Sequence, residues 1–227
     1  MPVSTPRIIY RVLRSHYGHQ HWWPGDTPFE IILGAILTQS CSWSNVEKAI
    51  MNIKHVRALS PKTLIAMPLS RLASLVRPSG YFNQKAKKIR AFLSFFSAQY
   101  GSSIARMKKK RLAPLREELL SIWGVGKETA DSILCYALSK PALVIDAYTR
   151  RLFHRLGHTA EDASYDELQD YLTARLPRST ALYNDFHAQV VIHCKDVCRT
   201  KPKCDRCTLS KICRWGMSAR NRPAGKK

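Results

Sequence analysis

Four cysteines stand close together in "CRTKPKCDRCTLSKIC": Cys198, Cys204, Cys207 and Cys213, spaced C-x5-C-x2-C-x5-C. Two thiolates separated by two residues grip one metal centre from a tight turn, and the outer pair closes the shell over a compact loop. A structural zinc accepts four thiolates in this way, and so does a [4Fe–4S] cluster; the spacing does not choose between them. Cys194, one helical turn before Cys198, is a possible substitute ligand. Cys41 and Cys135 fall within apolar helical patterns and read as core residues.

The chain carries 37 Lys and Arg against 16 Asp and Glu, a formal charge of +21. Such an excess attracts polyanions, nucleic acid first and an anionic membrane surface second. No apolar run at the N-terminus suits a leader, and "FEIILGAIL" is far too short to span a bilayer, so a cytoplasmic protein is expected, associated with the nucleoid in a prokaryote. Thiols there stay reduced, which argues against a disulfide framework for the seven cysteines.

Against that charge, "WGVGKETA" gains meaning. Gly124 and Gly126, either side of Val125, permit a tight turn between two helices. The turn lets backbone N–H groups at Lys127, Glu128 and Thr129 point outward from a helix N-terminus, whose partial positive charge holds a phosphate without reading bases. A nucleotide-binding glycine loop would need a preceding strand and a further glycine, and neither is present. Asp146 follows the apolar run "PALVI" and opens "AYTRRLFHRLG". Aspartate caps helices well; a partly desolvated carboxylate also stabilises a developing cation or orients water. One residue can serve both roles.

Turn residues are frequent and strand patterns scarce. Helices are expected at 28–40, 43–56, 60–67, 68–80, 82–101, about 114–123, 127–139, 147–157, 164–176 and 180–198, each from apolar spacing and its capping residues. The chain reads as all-α, with about ten helices and a basic tail, "SARNRPAGKK", within 217–227.

"LLSIWGVGKETADSILCYALSKPALVIDAYTRRLFHRLG", followed by the cysteine loop, resembles the helix–hairpin–helix DNA glycosylase superfamily typified by endonuclease III. The likeness runs from "FEIILGAILTQS" through "GYFNQKAKKI" to Cys213. It implies two helical lobes flanking a DNA-binding cleft, one from 26–111 and the other from 1–25 with 112–227, and a hairpin motif at about 115–138. It also implies that the cysteine loop holds a [4Fe–4S] cluster, although the first gap is five residues here and six in endonuclease III. Bifunctional members place a lysine where this chain has Glu128; that amine attacks the sugar and forms a Schiff base, which a carboxylate cannot do. Lys127 sits one position early, turned away by about 100° on a helix. The resemblance therefore implies a monofunctional glycosylase with Asp146 as its catalytic carboxylate and Glu128 beside the base. The alternatives are a glycosylase for a mismatched or oxidised base and a bifunctional glycosylase and AP lyase like endonuclease III. Retention of Asp146 argues against a DNA-binding iron–sulfur protein without catalysis.

Within the superfamily, "GVGKETADSILCY" and "HQHWWPGD" are most similar to 3-methyladenine DNA glycosylase III. Trp22, Trp23 and Pro24 are then expected to form an electron-rich wall, on which a cationic alkylated purine stacks. Described members of that group lack the cysteine loop present here. Tyr81 in "RPSGYFNQKAKKI" matches the loop that wedges into DNA, and Gln39 or Ser40 in "LTQS" matches a gap-filling position. Lys85, Lys87 and Lys88 are expected at phosphates or on a solvated helix face, as are the loop residues Lys201, Lys203, Arg206, Lys211 and Arg214. The implied partner is double-stranded DNA containing a damaged base, bound by a monomer.

Overall fold

The computed structural model describes residues 5–220. The described part is all-helical, without strands. No helix in it is long and apolar enough to cross a membrane. Residues 221–227 of the expected basic tail lie outside the described part, while the preceding residues belong to a last helix.

Internal contacts divide the chain into two units, residues 23–142 and residues 1–22 with 143–227. The first unit holds α2 (Pro28–Leu37), α3 (Trp43–His55), α4 (Pro61–Ala66), α5 (Leu69–Leu75), α6 (Phe82–Tyr100), α7 (Ile104–Lys109), α8 (Leu112–Ser121) and α9 (Lys127–Ser132). α2 is its centre. Eight of its ten residues are buried, so it is apolar on every side and other helices surround it. Thr27 caps its start through the Glu30 N–H, and Pro28 occupies the first turn. α6 contributes Ile89, Phe92, Leu93 and Phe96 to the same core, then stops at Gly101 in the left-handed region.

The hairpin helices belong to this unit. Leu115 and Leu119 of α8 share one core with Ile32 and Ile36 of α2. Arg116 also grips the fully buried Asp131 of α9 through two N–H donors, at 2.7 and 3.0 Å. The boundary therefore falls at 142–143 instead of the expected 111–112. Apolar burial and a bidentate ion pair across the hairpin tie α8 to the middle of the chain. The expected helix at 127–139 is α-helical only to Ser132 and widens into a π-turn over Ile133–Ala137. The expected helix at 68–80 is α5 followed by a short 3₁₀ turn, Arg77–Ser79.

The second unit comprises α1 (Pro6–Tyr17), α10 (Ala147–Leu156), α11 (Tyr165–Thr173), α12 (Thr180–Asp196) and α13 (Arg214–Arg220). α1, α7 and α13 were not among the expected helices. α1 had the marks of one: Thr5 as cap, Pro6 in the first turn, Ile9 and Leu13 on one face, and Gly18 as stop. It packs on α12, and α10 packs on both α12 and α13. Leu13→Ala is expected to lower stability by about 2–5 kcal/mol in denaturant titration, because Leu13 is fully buried. A loss of less than about 1 kcal/mol would show that α1 is dispensable.

Candidate active site and cysteine loop

Asp146 is the N-cap of α10. Its Oδ1 accepts from the Thr149 N–H at 2.7 Å and from the Thr149 hydroxyl at 2.7 Å. The other oxygen, Oδ2, stands 3.5 Å from His187 Nε2 on α12. The capping role and a second, charge-bearing oxygen thus coexist in one side chain, which is 12% exposed and not sealed. Burial pushes the carboxyl pKa up, but His187 and the two Thr149 donors outweigh it and hold the group below its ordinary value of 3.8. The carboxylate is therefore the form present at neutral pH. His187 was not anticipated. Its only mark in the sequence is its place on a helix that also carries the first cysteine approach, "HAQVVIHC".

The hairpin turn is built as its glycines require, but the two glycines differ. Gly124 has φ +82°, and a Cβ there would meet Lys88 Cγ at 2.5 Å. Gly126 is extended, with nothing within 4 Å of a Cβ. It caps α9 without a side chain, so the first-turn N–H groups of Lys127, Glu128 and Thr129 have no side-chain cap. Lys127 and Glu128 are exposed, and Thr129 is buried. A hydrogen bond from Gln39 Nε2 to the Gly124 carbonyl, 3.0 Å, and another to Thr129 Oγ1, 3.0 Å, join the segment after α2 to this turn.

Tyr81 is 75% exposed and holds φ +44°, a left-handed conformation that a bulky residue adopts only under constraint. Ser40 is exposed with φ +51°. Lys85, by contrast, is 2% exposed, and its ammonium donates to the carbonyls of Leu37 and Ser79. The expectation of a phosphate contact or solvated face at Lys85 is corrected. Burial pushes its pKa down, and helix-end carbonyls take the place of water. Lys88 is half-buried on Gln39 Oε1, and only Lys87 of the three is exposed.

Trp23 packs against Tyr136 of the π-turn, with ring centroids 4.9 Å apart, and meets Trp43 edge-on at 5.1 Å. Gly34 lets the rings approach α2: a Cβ there would contact both tryptophans at 3.4 Å. Trp23 is thus one member of an aromatic cluster whose other two members were not anticipated. Trp22 falls in the other unit and is half-buried; Pro24 is exposed. Lys54 ties Asp26, at 2.8 Å, to Glu30, at 2.7 Å, and so fixes the loop that carries Pro24.

Cys198, Cys204, Cys207 and Cys213 line one cavity, together with Arg155, His193, Leu209 and Trp215. Among the described residues, no three Cys, His, Asp or Glu side chains converge as ligands of a single metal ion. N–H groups approach the sulfurs: Arg155 to Cys198 Sγ at 3.4 Å and the Gly216 backbone to Cys213 Sγ at 3.4 Å. His193 Nε2 lies 3.5 Å from Cys207 Sγ, while its Nδ1 lies 3.0 Å from the Tyr17 hydroxyl. A hydrogen bond from Cys194 and the Arg155 charge hold the Cys198 thiol below its ordinary value against burial. Cys194 itself is buried and donates toward the Tyr148 carbonyl, 3.5 Å. Arg151 and Arg155 of α10 hold the loop by its carbonyls: Arg151 Nε meets Cys198 O at 2.9 Å, and Arg155 meets Arg199 O at 2.6 Å and Thr200 O at 2.9 Å. The loop lysines and arginines Lys201, Lys203, Arg206, Lys211 and Arg214 are all exposed.

A family model described as "HhH-GPD superfamily base excision DNA repair protein" matches residues 33–178. The chain belongs to the HhH-GPD superfamily. It is a DNA glycosylase of that base excision repair family, as the resemblance implied. The "Putative DNA repair glycosylase MJ1434" of Methanocaldococcus jannaschii is 46% identical over 207 residues, 90% of this chain and 94% of the relative. The structure of H. pylori 3-methyladenine DNA glycosylase MagIII bound to 1,N6-ethenoadenine is 31% identical and superposes with a TM-score of 0.75, over 84% of this chain and 97% of that one. A trapped endonuclease III–DNA covalent intermediate shares the fold at 24% identity, with a TM-score of 0.83 over 96% of this chain and all of that one.

The Asp146 environment has a direct readout. Followed by carbon-detected NMR, its carboxyl is expected to titrate below 3.8, and its midpoint should rise in His187→Gln as a cationic neighbour is lost. Stability tracks it with a fixed sign: the contribution is present above 3.8 and disappears as pH falls through the lower folded value. A midpoint above 3.8 in the native protein would refute this electrostatic picture.

Proposed function

We propose that this glycosylase is monofunctional: it hydrolyses the N-glycosidic bond of an alkylated, 3-methyladenine-like base in double-stranded DNA and leaves the backbone intact. Two observations carry the reading: Asp146 is ionised, and a glutamate, Glu128, occupies the hairpin position where a Schiff-base lysine would stand. As the base departs, positive charge develops on the sugar. A carboxylate held by Thr149 and His187 is already oriented and requires no reorganisation to stabilise it. A quaternised purine leaves readily, so modest electrostatic help is sufficient and no strong acid is needed at the base. The first turn of α9 after Gly126 has no side-chain cap and suits a phosphate, and the exposed Tyr81 suits the space vacated by an extruded nucleotide. Trp22, Trp23 and Pro24 would face the base, with Glu128 adding negative potential near a cationic ring.

The cysteine loop fits a [4Fe–4S] cluster held by Cys198, Cys204, Cys207 and Cys213. The four side chains surround a cavity, which suits a polynuclear group, and N–H donors aimed at two of the sulfurs suit thiolate ligands. When bound, the cluster supplies a rigid cross-link for a loop whose basic side chains face solvent. The enzyme is proposed to act as a monomer in the cytoplasm, at the nucleoid in a prokaryote.

Wild-type protein is expected to release 3-methyladenine from methylated duplex DNA, and Asp146→Asn to do so about 100-fold more slowly or worse. Asparagine caps a helix as well as aspartate, so that variant should still fold, less stable at neutral pH by what the ionised carboxylate contributes. Borohydride should trap no covalent complex; a trapped complex would restore a lyase, and release only from mismatched or oxidised duplexes would redirect the substrate. Separately, anaerobically purified protein should contain about four irons per chain and absorb visible light, and Cys204→Ser should lose both. A stoichiometric zinc with no iron would overturn the cluster.

A further inference from the structure

Two lysines on the first turns of α6 do not face outward. Lys85 Nζ donates to the Leu37 carbonyl at the end of α2 and to the Ser79 carbonyl in the turn before Tyr81. One buried ammonium thereby ties the exit of α2 to the segment that presents the wedge. One turn further on, the Lys88 stem lies against Gly124, at the place a Cβ would occupy, and its ammonium donates to Gln39 Oε1. That contact fixes the carboxamide, since an amide turned over would set its NH₂ against a cation. The Gln39 NH₂ is then directed at Gly124 O and Thr129 Oγ1 in the hairpin. Both ends of Gln39 are committed, which leaves Ser40 as the exposed member of the pair Gln39–Ser40.

We propose that Lys85, Lys88 and Gln39 are positioning residues that brace three DNA-contacting parts, Ser40, Ser79–Tyr81 and Gly124–Thr129, into one rigid reading unit. The lysines act on DNA through these segments and neutralise no phosphate. This rests on the proposed function in one respect, that those three segments are the ones that meet damaged DNA. The brace explains two costs that the chain carries. A lysine is buried without a carboxylate partner, and a tyrosine is held at φ +44°. Both follow if the wedge turn must be held in place before DNA arrives.

The test compares wild type with Lys88→Met and Gln39→Ala on two duplexes. One is undamaged; the other carries an abasic-site analogue beside 2-aminopurine. Binding is titrated over a series of KCl concentrations, and 2-aminopurine fluorescence reports unstacking. The variants should bind undamaged DNA within about twofold of wild type, with the same slope of log affinity against log salt. Their preference for the abasic duplex should fall about tenfold or more, with a weaker fluorescence rise. A salt slope lower by about 1, with equal loss on both duplexes, would make Lys88 a phosphate contact and overturn the brace. No change in preference or fluorescence would overturn it as well. Wild type that fails to prefer the abasic duplex would instead defeat the proposed function. Lys88 and Gln39 are both half-buried and lie on different segments, and thermal melts establish which variant is folded, so either one carries the comparison.

Discussion

The chemistry proposed for this protein depends on how one carboxylate is held. Asp146 starts α10 by accepting from Thr149, and His187 together with those hydrogen bonds keeps it ionised despite its burial. Capping and the proposed catalytic role make compatible demands on it. A helix N-terminus stabilises an anion, and an anion fixed in advance is what a developing sugar cation requires. The apolar run Ala142–Ile145 that precedes it is fully buried, so the chain cannot move the aspartate without withdrawing those side chains from the core.

The other end of α10 serves the cysteine loop. Arg151 and Arg155, one turn apart, donate to carbonyls at Cys198, Arg199 and Thr200, and Arg155 stacks over Trp215 at 5.3 Å. One ten-residue helix thus places the carboxylate at its head and organises the loop at its tail. A group bound among the cysteines would restrain the loop and α10 together. In the other unit, α6 has the corresponding role through its lysines, with the backbone carbonyls of Leu37 and Ser79 and the Gln39 amide oxygen as their partners in place of acids.

Much of this was legible in the residues. The helix at 147–157, its aspartate cap, the glycine turn and the cysteine spacing each follow from short-range rules of capping, left-handed backbone and ligand geometry. Lys85 was not legible. A lysine beside two others in "QKAKK" looks solvated, and only the packing of α6 against the end of α2 makes it a buried donor. His187, Trp43 and Tyr136 escaped notice for a similar reason. Each lies on a helix whose pattern is explained by core packing alone, and its partner is distant in sequence.

The sequence by itself determined the helical class, the hairpin, the capped aspartate and the absence of a lysine at the hairpin position. These are local: a cap, a turn or a ligand pair is complete within a few residues. Only the tertiary structure decided that the hairpin packs with the middle of the chain, that Gln39 faces the turn, and that two of three neighbouring lysines turn inward. Those outcomes rest on which apolar faces bury each other and which carbonyls are left without water. That competition is settled by the whole core, and no short stretch of residues encodes it.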